Sequence, residues 1–88
     1  MTVTFDPAKN ANNIAERGLS FQLVDSIDWG NAVIVEDTRK DYGERRFRVF
    51  GTIRGRLHVA VITSRGKVAH IISFRKGNAR EVREHGNK

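Results

Sequence analysis

The sequence predicts an α+β domain: an antiparallel β-meander with an N-terminal pair of helices and a C-terminal helix. Three observations carry this. Helical spacing with capping residues fills the first third of the chain. From residue 32 the apolar period changes from helical to alternating. A capping-box pattern then opens at Asn78, with Glu81 three residues on. The chain has 88 residues and no linker or internal repeat, so one domain is expected over residues 1–88.

The elements follow in order. Val3 and Phe5 alternate with Thr2 and Thr4, as in a short strand. Asp6-Pro7 opens a helix, because the carboxylate accepts from free N–H groups and proline at the first position loses no needed donor. Ala8, Ala11, Ile14 and Ala15 are expected to form its inner face, and Gly18 supplies the left-handed stop. Ser20 caps a second short helix, with Leu19 and Val24 spaced as a hydrophobic staple and Phe21, Val24 and Ile27 facing inward. Ala32–Glu36 is strand-like, and 37–44 is a polar loop. Arg45–Ile53, Leu57–Thr63 and Val68–Phe74 are three consecutive strands joined by turns at Gly55 and Arg65-Gly66. The last helix ends near Gly86.

Composition narrows the function classes. There is no cysteine, which excludes a disulfide framework, a thiolate metal site and a cysteine nucleophile. No apolar run approaches the ~20 residues of a membrane helix. The opening Met-Thr-Val-Thr-Phe-Asp-Pro lacks a basic region followed by an apolar one, so a cytoplasmic location is expected. Charge is unevenly placed. Residues 1–37 hold two basic and six acidic groups, a net of −4, whereas residues 38–88 hold fourteen basic and four acidic groups, a net of +10. Clustered Lys and Arg fit a polyanion partner. A solvated basic face, or a surface that docks an acidic protein, gives the same composition.

Arg46 and Arg48 share one face of a strand, opposite Phe47 and Val49. Arg54, Arg56 and Arg65 crowd the turns, Arg75-Lys76 ends the last strand, and Arg80 and Arg83 follow on the helix. Together they are expected to make a concave basic surface, since the arginine fork matches two phosphate oxygens. Edge protection and solubility are the competing explanation. Of the three histidines, even numbering on neighbouring strands places His58 and His70 on one face. No carboxylate pattern completes a zinc site around them, so no metal is expected. Packing suits His58. His70 and His85 are candidates for proton transfer. Phe50 shares a face with Arg46 and Arg48, and Phe74 one with His70. Such rings stack a base or seat a helix.

Several motifs run in order along the chain: Phe5-Asp6-Pro7-Ala8-Lys9-Asn10; Asn13 with Arg17-Gly18-Leu19-Ser20-Phe21; Gly43-Glu44-Arg45-Arg46-Phe47 with Gly51; Gly55-Arg56-Leu57 with Val59, Val61, Thr63 and Arg65; and Ile71-Ile72-Ser73-Phe74-Arg75-Lys76 with Arg80-Glu81. This series resembles the BrnT family, toxins of bacterial type II toxin–antitoxin systems with a RelE-like ribonuclease fold. Arg17, His70, Phe74 and His85 depart from the family's usual residues.

The resemblance implies metal-independent RNA cleavage that blocks translation. In that scheme a 2′-hydroxyl attacks the adjacent phosphate, cations stabilise the added charge and an acid protonates the leaving 5′-oxygen. Arg56, Arg65 and Arg75 are the expected phosphate stabilisers. Arg46, Arg48, Lys76 and Arg80 are expected to hold RNA. Glu44 or His70 is the expected base, and His85 the acid. Glu44 has an alternative role as an ion-pair partner of Arg45 or Arg46. The implied partners are RNA, a BrnA-type antitoxin and the ribosome, with operator DNA reached only through the antitoxin; no cofactor is implied. A non-catalytic nucleic-acid- or antitoxin-binding module derived from the same fold is the alternative.

Overall fold

Five strands form one mixed sheet in the computed structural model, which describes residues 2–86. They are β1 (Val3–Phe5), β2 (Val33–Glu36), β3 (Phe47–Ile53), β4 (Arg56–Arg65) and β5 (Val68–Lys76). Their spatial order is β1-β5-β4-β3-β2. Strands β2 to β5 form the antiparallel meander. Strand β1 then joins its far side by pairing parallel to β5, with Val3 opposite Ala69 and Phe5 opposite Ile71. No helix among the described residues is long and apolar enough to cross a membrane.

The N-terminal caps behave as their chemistry dictates. Asp6 accepts from the Ala8 N–H at 2.9 Å, and α1 (Pro7–Arg17) ends where Gly18 turns left-handed. Ser20 caps the next segment, but Phe21–Ser26 is a 3₁₀ helix rather than an α-helix. Its Phe21 and Val24, with Ile27 just after, cover one face of the sheet. There they pack with Val49, Ala60, Ile71 and Phe74, all buried.

That layer displaces α1 from the core. Ala8, Ala11, Ile14 and Ala15, expected to face inward, are all exposed, and no residue of α1 is buried. Two asparagines anchor the helix instead. Asn13 Nδ2 donates to the carbonyls of Leu19 and Phe74 at 2.9 and 3.0 Å, and Asn10 Oδ1 accepts from the Phe21 N–H at 2.8 Å. Asn13→Ala leaves both carbonyls without this donor. It is expected to cost about 1–3 kcal/mol, read as a lower urea midpoint at unchanged m-value.

Two irregularities shape the meander. The β3–β4 hairpin turns on Arg54-Gly55, with φ of +50° and +78°, a pairing of positive angles that matches strand twist. Between β4 and β5 the register shifts: Val61 faces Ser73, while Ile62 faces Ile71, so β5 carries one extra residue at Ile72. A bulge reverses the alternation beyond it. His70 therefore does not share a face with Phe74, which is fully buried in the core against the 3₁₀ layer. His58 and His70 are on opposite faces as well. His58 stacks on Phe74 at 5.3 Å and contacts the Arg56 carbonyl through Nδ1, whereas His70 pairs with Thr63.

Candidate functional site

The second face of the sheet is built in cross-strand rows. The first row is Val33, Phe50, Val59 and Arg75; the second is Val35, Arg48, Val61 and Ser73. A third contains Thr63, His70 and Thr4. The helix α2 (Ala79–His85) crosses the first row. Asn78 and Glu81 close its capping box, with both bonds at 2.9 Å. Gly77 leads into it, and a Cβ there would stand 2.7 Å from Leu57 Cδ2, so this approach needs glycine.

The two ends of α2 are held differently. At one end Glu81 takes a bidentate bond from Arg75, at 2.7 and 2.9 Å. The Arg75 guanidinium, partly opposed by burial, lowers the Glu81 carboxyl to about 2 from an ordinary 4.5, and the pair raises Arg75 in return. At the other end His85 stacks on Phe50, ring centroids 4.2 Å apart. Phe50 is buried, so it seats the helix as one of its two expected uses.

Because Glu81 is depressed, its contribution to stability is complete above pH 4.5 and lost as pH falls toward about 2. An acid titration of unfolding free energy is expected to slope downward through that window, and Glu81→Gln to flatten the slope there.

The wall opposite α2 is the loop between β2 and β3. Asp37, buried, is its pin. Its carboxylate accepts from Arg39 Nε and Nη2 at 2.8 and 2.9 Å and from the Tyr42 hydroxyl at 3.3 Å. These bonds, Arg39 first, hold Asp37 well below the usual carboxylate range. Tyr42 lies 4.1 Å from the Arg46 guanidinium, and Glu44 stands 3.7 Å from Arg46. Between the two walls lies the second row, where Arg48 has its guanidinium 5.7 Å from the Phe50 ring. Among the described residues, three buried side-chain polar atoms lack a hydrogen-bond partner: Arg46 Nε, Arg48 Nε and His85 Nδ1. All three belong to this face. Buried polar groups are nearly always satisfied, and no acceptor among the described residues meets any of these three nitrogens. An arginine fork can hold two oxygens of a tetrahedral anion, and an imidazole on the same face can exchange a proton.

The other expected site residues divide. Arg56 and Lys76 occupy the face that carries the core, on the side of His58. Arg65 ends β4 on the side of His70, roughly 30 Å of strand away from Arg56. The two cannot grip one phosphate. Arg75 has both terminal nitrogens committed to Glu81. Arg80 points outward and pairs with Glu84 at 3.6 Å. His70 Nδ1 meets the Thr4 hydroxyl at 2.9 Å, and burial, then Arg65, lowers its pKa. His85 is no frayed end: its side chain is 20% exposed. Tyr42 and Ser73 were not among the expected residues. Tyr42 belongs to no motif or spacing that marks it in the sequence, and Ser73 shares this face with Arg75 by plain alternation.

A family model described as the ribonuclease toxin BrnT of type II toxin–antitoxin systems matches residues 5–81. The matched span includes Glu44, Arg46, Arg48, Arg75 and Glu81 and stops short of His85. No curated protein matches the chain.

Proposed function

The chain belongs to the BrnT family of ribonuclease toxins of type II toxin–antitoxin systems, and on that premise we propose that the arginine-lined face between α2 and Tyr42 is where RNA is cut. The observation that carries this is the presence on one face of Arg46, Arg48 and His85, each with a buried nitrogen that no group among the described residues meets. The sheet with a helix on either side is read as the RelE-like arrangement.

In this reading Arg48 and Arg46 hold the non-bridging oxygens of the scissile phosphate. The ribose 2′-oxygen bonds to phosphorus as its proton passes to a base. The bond from phosphorus to the 5′-oxygen breaks, and that oxygen takes a proton from His85. Glu44, beside Arg46, is the base. His70 and Arg65 lie farther along the face and hold the flanking RNA chain. The products are a 2′,3′-cyclic phosphate and a 5′-hydroxyl, and no metal takes part.

Cleavage in the cytoplasm stops translation, on free or ribosome-bound message. A BrnA-type antitoxin silences the toxin by covering this basic face, and carries the pair to operator DNA. Opposite charge across that interface supplies selectivity and fast association.

The test incubates the purified chain with end-labelled RNA in EDTA. Cyclic-phosphate products are expected, and they should vanish in the Arg46→Ala/Arg48→Ala double variant. RNA that is bound but left intact by the unmodified protein would overturn catalysis in favour of a binding module. Cleavage undiminished in the double variant would overturn the site.

A further inference from the structure

Resting on the reading of His85 as the proton donor, we infer that the Arg75–Glu81 ion pair is a positioning device that sets where His85 stands on the sheet. Helix α2 has seven residues, about 10 Å of helix, far below the length at which a helix holds itself together in water. Its placement must come from its attachments, and these are few. Val82 is 40% exposed, so it contributes little burial. Its entry is tied to β4, where the Gly77 N–H donates to the Leu57 carbonyl at 2.9 Å, and beyond that point the side-chain contacts that fix it on the sheet are Glu81 on Arg75 and His85 on Phe50.

The spacing of these two contacts makes them a unit. Glu81 and His85 are four residues apart, so they share one helical face. Arg75 and Phe50 belong to one cross-strand row, separated only by Val59 of β4. Helix and row therefore lie across one another with two fixed points. One is a forked ion pair, which fixes rotation as well as distance. The other is a flat stack, which tolerates sliding. The ion pair sets the rotation of α2, and with it the depth and tilt of the imidazole. Arg75 thus acts through His85, with its own charge already neutralised by Glu81.

Glutamine can still accept from the Asn78 N–H, so Glu81→Gln keeps the capping box while it removes the charge and turns one acceptor of the Arg75 fork into an NH2 donor. The experiment compares Glu81→Gln, Arg75→Met, their combination and His85→Gln. It measures single-turnover cleavage, KM for RNA, and the ring-current shift that Phe50 imposes on the His85 ring protons, with thermal melting to verify folding. A misplacement near 1 Å costs up to about 10²-fold in rate. Glu81→Gln and Arg75→Met are expected to lose roughly 10–100-fold in rate at unchanged KM, with a diminished His85 ring-current shift. The double variant should be no worse than either single one, because both break one contact, and Arg75→Lys should recover part of the rate.

Two outcomes overturn the inference. In one, Glu81→Gln keeps full rate and ring shift while Arg75→Met is inactive, which makes Arg75 a direct phosphate ligand. In the other, both variants keep full rate although His85→Gln is inactive. Full activity in His85→Gln is a different failure: it removes His85 from the chemistry and takes the underlying reading with it.

Discussion

Arg48→Ala is expected to reduce RNA cleavage by about 10²–10³-fold while leaving the fold nearly as stable as before. The rate loss follows from position. Arg48 is central in the open row between α2 and Tyr42, beside the ring that seats His85. A fixed cation aimed at charge that develops in the transition state is typically worth this much. The small stability cost follows from what Arg48 lacks. Its guanidinium has no carboxylate partner among the described residues, and its Nε is buried without an acceptor. Removing an unsatisfied buried donor relieves a cost rather than adding one. Arg48→Lys keeps the charge and loses the fork, so it should recover only part of the rate. Cleavage kinetics and urea unfolding on the same samples separate the two effects. A variant with parental activity, or one inactive only because it is unfolded, would refute the assignment.

The contrast between Arg48 and Arg75 shows what the sequence could carry. Both are arginines in strands of alternating pattern, and simple alternation placed Arg48 beside Phe50 correctly. It failed beyond residue 71, because the extra residue at Ile72 reverses the count. Nothing in Ile71-Ile72-Ser73 announces a bulge; it is set by the fit between β4 and β5. The partner of Arg75 was hidden for a related reason. Glu81 reads from sequence as a capping residue, which it is, and local chemistry does not say that both its oxygens also meet a strand residue. The misread face of α1 has a different origin. Alanines at helical spacing suggest burial, but they offer little apolar area, and the larger Phe21, Val24 and Ile27 fill the sheet face first.

Phe74→Ala is expected to destabilise the protein by about 3–5 kcal/mol, the range for removing a fully buried phenylalanine ring. A domain of this size has roughly 4–13 kcal/mol in all, so a large share of its stability would be lost. Phe74 has no exposed surface, stacks on His58 at an interplanar angle of 23°, and lies in the same cluster as Phe21 and Ile71. Its neighbour Ser73, on the opposite face and exposed, is the control: Ser73→Ala should shift stability by less than about 0.5 kcal/mol. Denaturant unfolding of both variants measures the difference. Equal, small effects would mean that Phe74 is not part of the buried core.

The parallel pairing of β1 with β5 has a consequence in time. Val3 meets Ala69, and Asn13 reaches the Phe74 carbonyl, so these residues find their partners only after more than 60 further residues are made. Contacts this distant along the chain close late in folding. At about 5–20 residues per second, synthesis leaves an unfinished chain for several seconds with β1 unpaired and the α1 anchor incomplete. The His85 end of the proposed site is younger still. A ribosome making this protein therefore carries no working copy of the toxin until residues 68–85 have been made, and an antitoxin already present meets each molecule at the moment it first becomes dangerous.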